Sequence, residues 1–118
     1  MSRRSVRLLI EDMLERIGRI ERFLEGMDRE AFLRDEKTID SVVRNLEVIG
    51  EAASRLPQPF KGRHPEIPWS RIVGLRHRIV HEYFDVDPAL VWEILRTELV
   101  ELKAQLVALR PEPTDDSN

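Results

Sequence analysis

The segment EKTIDSVVRNLEVIGEAASRL, residues 36–56, decides the fold class because its apolar residues recur every three or four positions. That spacing puts them on one face of an α-helix. The stripe consists of Ile39, Val42, Val43, Leu46, Ile49, Ala53 and Leu56. Gly50 and the pair Ala52–Ala53 are small, so another helix can approach this backbone closely. Pro57 and Pro59 follow and are expected to end the helix.

The same periodicity extends to both sides of this helix. An N-terminal helix carries the apolar residues Val6, Leu9, Met13, Ile17, Ile20 and Leu24. Gly26 is a stop signal for it, and Asp28 can cap the short helical segment DREAFLRD. Asp87 followed by Pro88 predicts the start of a last helix that runs to about Leu109. Its stripe is Val91, Ile94, Leu95, Leu99, Leu102, Leu106 and Leu109.

A third main helix is predicted from about Trp69 to about Tyr83, after an irregular loop with the sequence PQPFKGRHPEIP. No β-type alternation occurs along the chain. The sequence therefore predicts an all-α fold, an antiparallel bundle of four main helices plus a short helix. The chain has only 118 residues and broad apolar stripes, which favours a two-fold dimer.

Composition restricts the class of protein further. Hydrophobic residues make up 42% and charged residues 35% of the chain, as in folded globular proteins. The net charge of −3 argues against DNA binding by bulk charge. There is no cysteine, no apolar run of membrane-spanning length and no signal-peptide pattern, so a cytoplasmic protein without a membrane partner is expected. Local basic clusters remain, Arg71 with Arg76, His77 and Arg78, and Lys61 with Arg63 and His64.

The stretch GLRHRIVHEYFDVDP, residues 74–88, brings polar residues to the apolar face of the third helix. At about 100° per residue, Arg76 and Tyr83 fall within the arc of the apolar residues, while His77 and His81 fall on the opposite side. The apolar arc consists of Ile72, Val73, Leu75, Ile79 and Val80. A single straight helix would therefore separate Arg76 from His81. A helix that ends near His81, or two copies of the motif facing each other in a dimer, would bring them together.

Arg76 requires an anionic partner if it is buried, because an unpaired buried charge is strongly destabilising. The second main helix offers Glu47 and Glu51, and Glu51 is the preferred partner because it adjoins Gly50. In the alternative, Arg76 extends its aliphatic stem from the edge of the stripe and places its guanidinium in water.

Arginine and histidine together suit reactions of phosphate diesters. Arginine binds a phosphate through two hydrogen bonds and stabilises the charge of the transition state, and histidine moves protons near neutral pH. The ribose 2′-hydroxyl of RNA can supply the nucleophile, so no metal ion or other cofactor is required. The two histidines lack the acidic neighbours of a zinc site, and the serines lie in caps and tails rather than near a histidine. Structural roles for His81 and Tyr83 remain open on spacing alone.

The segments NLEVIGEAASRLP, HPEIPWSRIVGLR and GLRHRIVHEYFDVD resemble, in this order, the HepT-type HEPN domain. The resemblance covers most of the chain, and residues 1–110 are expected to form one such domain. Residues 111–118 are polar and contain proline, so a disordered tail is predicted there. The resemblance implies a dimeric, metal-independent ribonuclease toxin with an Arg-x4-His motif, in which Arg76 and His81 are catalytic. It also implies a minimal nucleotidyltransferase antitoxin that transfers AMP from ATP to Tyr83. The added nucleotide would repel and block RNA.

One position departs from the pattern of the family, which often has asparagine after the arginine where this chain has His77. His77 and Glu51 are assigned supporting roles. A rival hypothesis is a non-catalytic HEPN module that binds a nucleotide or a protein partner. Another makes Arg76 and Glu51 an ion pair of the dimer interface.

Overall fold

The computed structural model describes residues 4–80 and 85–110, and most of these residues lie in helices. The helices are α1 (Val6–Phe23), α2 (Arg29–Leu33), α3 (Glu36–Ser54), α4 (Gln58–Arg63), α5 (Trp69–Val73), α6 (Leu75–Ile79), α7 (Pro88–Arg96) and α8 (Glu98–Leu109). The described ranges contain no β-strand, only an isolated antiparallel bridge between Val80 and Val86. The predicted all-α fold is confirmed. The tail predicted at residues 111–118 lies outside the described residues.

The helix ends follow the predicted capping residues. Gly26 has a positive φ of 75° after α1, a conformation that glycine adopts without the cost borne by other residues. The side chains of Asp28 and Asp87 accept hydrogen bonds from the first backbone N–H groups of α2 and α7. Asp35, for which no capping role was predicted, does the same for α3, which ends at Ser54 close to the predicted boundary. These helix ends are therefore set by local sequence.

The core is formed mainly by α1 and α3, with α8 and the shorter helices packed around them. Met13 and Ile20 of α1 and Leu46 and Ile49 of α3 are fully buried. Each such side chain contributes about 1.5–3 kcal/mol through burial. Phe32 of α2 is also fully buried and its ring centre lies 5.4 Å from that of Trp92, which joins α2 to α7. The apolar stripes predicted for the long helices thus form one core.

Two predicted long helices are each divided. The third breaks at Gly74 into α5 and α6 and ends at Ile79, and Val80 is extended. The last breaks at Thr97, whose hydroxyl donates a 2.7 Å hydrogen bond to the carbonyl of Glu93. Such a bond to the preceding turn commonly bends a helix. Apolar periodicity continues across both breaks, which is why it did not predict them.

The predicted irregular loop contains a helix instead. Pro57 is the N-cap of α4, and Pro59 lies in its first turn, where the missing N–H of proline costs nothing. The prolines therefore begin α4, several residues after α3 has already ended at Ser54.

The position of α5 is fixed by a close backbone approach to α3. A Cβ atom built on Gly50 would lie 2.9 Å from the carbonyl oxygen of Ile72, closer than real contacts allow. The small residue predicted to admit another helix thus does so. One turn away, Glu47 of α3 meets Arg76 of α6. Because the residue number falls along α3 as it rises along α5 and α6, the two segments run antiparallel here.

No helix in the described ranges is long and apolar enough to span a membrane.

Candidate active site

Arg76 lies on the surface of α6, contrary to its prediction on the buried face. Its side chain is 56% exposed, and its Nε atom donates a 3.1 Å hydrogen bond to Oε2 of Glu47. The prediction assumed one continuous helix, whereas the break at Gly74 changes the direction of the side chains that follow. Val73, also predicted in the apolar arc, is 39% exposed. The guanidinium reaches water, as in the alternative, and it is also paired with Glu47, one of the two carboxylates considered as its partner.

The predicted pairing of Arg76 with Glu51 is wrong. Glu51 is instead hydrogen-bonded to Arg55, one turn further along α3, at 3.3 Å. The antiparallel arrangement of the two segments explains the difference. Gly50 lies against Ile72, so a residue that follows Ile72, such as Arg76, meets a residue that precedes Gly50, which is Glu47. Glu51 lies in the opposite direction along α3, so the supporting role predicted for it, which rested on a pairing with Arg76, is withdrawn.

The chain near the predicted histidine leaves the helical conformation before that residue. His77 is exposed on α6, as predicted, and α6 ends at Ile79. Val80 and Val86 then form the antiparallel bridge. His81 and Tyr83 lie outside the described residues. A straight helix would separate Arg76 from His81 by angle, and a helix that ends before His81 is one of the two arrangements expected to avoid that separation.

Glu98, at the start of α8, connects the arginines on either side of Arg76. It accepts hydrogen bonds of 2.8 and 2.6 Å from Nη1 and Nη2 of Arg78, and one of 3.1 Å from Arg71. The two bonds from Arg78, together with the one from Arg71, hold the pKa of Glu98 below its ordinary value despite partial burial. No local pattern in the sequence predicts this contact, because Glu98 lies 20 residues beyond Arg78.

The second basic cluster is mainly structural. The Nζ atom of Lys61 donates to the carbonyl of Ala53 at 3.2 Å, and the guanidinium of Arg63 lies 5.7 Å from the ring centre of Phe60. His64 packs against the same ring at 4.8 Å, and its carbonyl accepts a hydrogen bond from Trp69. The cluster thus ties α4 to α3 and to α5, the helix that directly precedes α6.

The all-α fold agrees with the fold that the resemblance of the sequence implies. A family model described as ribonuclease HepT-like matches residues 13–109. The chain therefore belongs to the ribonuclease HepT-like family, and the resemblance inferred from the sequence is confirmed.

Relatives of the chain have similar names. A protein of Thermococcus cleftensis named “Probable ribonuclease HepT” is 40% identical over 92% of this chain and 98% of its own length. One of Methanocaldococcus jannaschii named “Putative RNase MJ0127” is 38% identical over 80% of this chain and 78% of its own length. No solved structure matches the chain significantly. The names of these relatives support a ribonuclease.

Proposed function

We propose that the chain is a metal-independent endoribonuclease in which Arg76 binds the scissile phosphate and His81 transfers protons. Membership of the ribonuclease HepT-like family supports the reaction class. The observation that carries the assignment of Arg76 is its exposure. Its side chain is 56% accessible to solvent, although it lies on a helix held by the buried residues Leu75 and Ile79. A guanidinium in that position can bind an incoming phosphate through two hydrogen bonds.

The reaction follows from the chemistry of RNA. The ribose 2′-hydroxyl loses its proton to a base and attacks the adjacent phosphorus, the bond to the 5′-oxygen breaks, and that oxygen takes up a proton. The products are a 2′,3′-cyclic phosphate and a 5′-hydroxyl. Arg76 stabilises the added negative charge on phosphorus, and the imidazole of His81 serves as a proton carrier at neutral pH. His77, exposed on α6, has a supporting role in phosphate contact.

The test is cleavage of RNA by Arg76→Ala and His81→Ala variants. Both are expected to lose cleavage by roughly 100-fold or more, since each removes a principal catalytic group. Arg55→Ala is the matched control, because Arg55 is a similarly exposed arginine that is also paired with a glutamate. Unchanged cleavage by His81→Ala would contradict the catalytic assignment of that residue, whereas a wild type that does not cleave RNA would favour a non-catalytic HEPN module that binds a nucleotide or protein.

We further propose that the chain is the toxin of a toxin–antitoxin pair, neutralised by a minimal nucleotidyltransferase. In that reaction the phenol oxygen of Tyr83 attacks the α-phosphorus of ATP, pyrophosphate leaves, and the phenol proton passes to a base. Incubation of the chain with the transferase and ATP should add the mass of AMP and abolish RNA cleavage. Equal labelling of Tyr83→Phe would refute the assignment of the tyrosine.

A homodimer is proposed as the active form, with the motifs of two chains contributing to one cleft. The rival hypothesis makes Arg76 and Glu51 an ion pair of the dimer interface, whereas within one chain these residues pair with Glu47 and Arg55. Sedimentation of the wild type should show a dimer, and Arg76→Ala should remain dimeric while losing cleavage. A wild type that is monomeric and fully active would overturn the shared cleft.

A further inference from the structure

The hydrogen bond between Glu47 and Arg76 uses one particular edge of the guanidinium. Oε2 of Glu47 accepts from Nε, the nitrogen nearest the aliphatic stem, at 3.1 Å. A bond at Nε fixes the plane of the guanidinium and leaves the pair of terminal nitrogens on its outer end. That outer pair has the geometry that binds two oxygens of a phosphate.

Glu47 is held by a rigid part of the fold. Its side chain is only 33% exposed, and its neighbours Leu46 and Ile49 on α3 are fully buried. One turn further along, Gly50 lies against the carbonyl of Ile72, which fixes the separation of α3 from the segment that carries Arg76. The carboxylate of Glu47 therefore occupies a defined position relative to the backbone of α6.

We propose that Glu47 is a positioning residue that orients Arg76 for the scissile phosphate. The inference rests on the proposed ribonuclease function. A free arginine side chain samples many rotamers, and ordering it when RNA binds lowers the contribution of each new hydrogen bond. Glu47 orders the guanidinium in advance, so that its terminal nitrogens already face the position of the phosphate.

The carboxylate also has an opposing effect, because its negative charge repels a phosphate nearby. Removing Glu47 should therefore change kcat and KM differently. Loss of orientation lowers kcat, whereas loss of the negative charge leaves KM unchanged or lowers it. A residue that only stabilised the fold would not produce this pattern, and an exposed ion pair of this kind adds little to stability.

The experiment compares Glu47→Ala, Glu47→Gln and the control Glu51→Ala on one RNA substrate. Glu51 lies one turn further along α3 and pairs with an arginine outside the site. For Glu47→Ala we expect kcat to fall by about 10-fold or more without a rise in KM, as for other small misplacements of catalytic groups. Glu47→Gln should recover most of the loss, since its amide oxygen can still accept from Nε. The melting temperature and the activity of Glu51→Ala should match the wild type.

Either of two results would overturn the inference. An unchanged kcat in Glu47→Ala would show that Arg76 needs no orientation, and an increased kcat would show that Glu47 is an inhibitory competitor of the phosphate. A double variant with Arg76→Lys adds a second criterion, because lysine has no Nε–H edge to be held. In that background Glu47→Ala should lower kcat no further, and a full additional loss would place its effect elsewhere.

Failure of the proposed function would look different. In that case Arg76→Ala and His81→Ala would keep the activity of the wild type, whatever Glu47→Ala does. If only the positioning role fails, those two variants lose cleavage while Glu47→Ala retains it.

Discussion

Arg78 and Glu98 are joined by two hydrogen bonds of 2.8 and 2.6 Å, which tie α6 to the first turn of α8. Arg71 adds a third bond to the same carboxylate from α5. Two of the arginines that flank Arg76 are thus neutralised in part by one acidic residue. The segment that presents Arg76 is held from one side by Glu98 and from the other by the contact between Gly50 and Ile72.

Replacing Glu98 with glutamine should destabilise the protein at neutral pH and less so in acid. Hydrogen bonds from Arg78, then from Arg71, lower the pKa of Glu98 in the folded protein. The stabilisation is therefore complete above the ordinary pKa of 4.5 and is lost as the pH falls through the lowered value. Since the carboxylate is 36% exposed, we expect a cost of about 1 kcal/mol at pH 7 after solvent screening.

The measurement for Glu98→Gln is urea unfolding of variant and wild type between pH 7 and pH 3. The difference in unfolding free energy should shrink steadily below pH 4.5. Glu101→Gln, an exposed position on the same helix, serves as the control and should differ little from the wild type at either pH. A difference for Glu98→Gln that grows in acid would contradict the assigned direction of the pKa.

Gly50→Ala should destabilise the fold, because the new methyl group would lie 2.9 Å from a backbone oxygen of Ile72. Backbone cannot move aside as a side chain can, so we expect a cost of about 1–3 kcal/mol from overpacking. Gly18→Ala is the matched control in a helix interior, since its methyl group would lie 3.6 Å from the end of the Arg22 side chain. That variant should be neutral or more stable by up to about 1 kcal/mol. Thermal unfolding of both variants measures the difference, and equal melting temperatures would refute the close packing.

Asn45→Ala should also lower stability. Asn45 is 5% exposed, donates a 2.7 Å hydrogen bond to the carbonyl of Ser41 and accepts one from Arg16 at 3.3 Å. Losing these bonds in a buried position should cost about 1–3 kcal/mol. Arg44→Ala, at the exposed preceding position on α3, should change stability by less than about 0.5 kcal/mol. Chemical denaturation measures both, and an unchanged midpoint for Asn45→Ala would show that these bonds add nothing.

A single 2′-deoxyribose in the RNA substrate should block cleavage at that nucleotide alone. The proposed reaction takes its nucleophile from the 2′-hydroxyl, so removing that oxygen removes the reacting group. The control substrate carries the same change two nucleotides away and should be cut normally. Gel analysis of the fragments distinguishes the two, and cutting at the deoxy position would require a water nucleophile instead.

Local features were predicted well from the sequence because their causes are local. Apolar spacing of three and four residues identified α1 and α3, and the predicted caps Asp28 and Asp87 accept bonds from the N–H groups that follow them. The breaks at Gly74 and Thr97 were missed because the apolar pattern continues through both. Each break depends on the backbone conformation at one residue, which the spacing of apolar side chains does not describe.

The amino-acid sequence alone determined the helical class, the caps and the choice of Arg76 and His81 as the candidate pair. Only the tertiary structure decided that Arg76 is exposed, that Glu47 rather than Glu51 is its partner, and that Glu98 joins Arg71 and Arg78. Such contacts join residues 20 to 29 positions apart. Their register is set by how closely two backbones approach at Gly50 and by the direction in which the helices run. A sequence pattern records which face of a helix is apolar, whereas the residue opposite a given side chain depends on that packing.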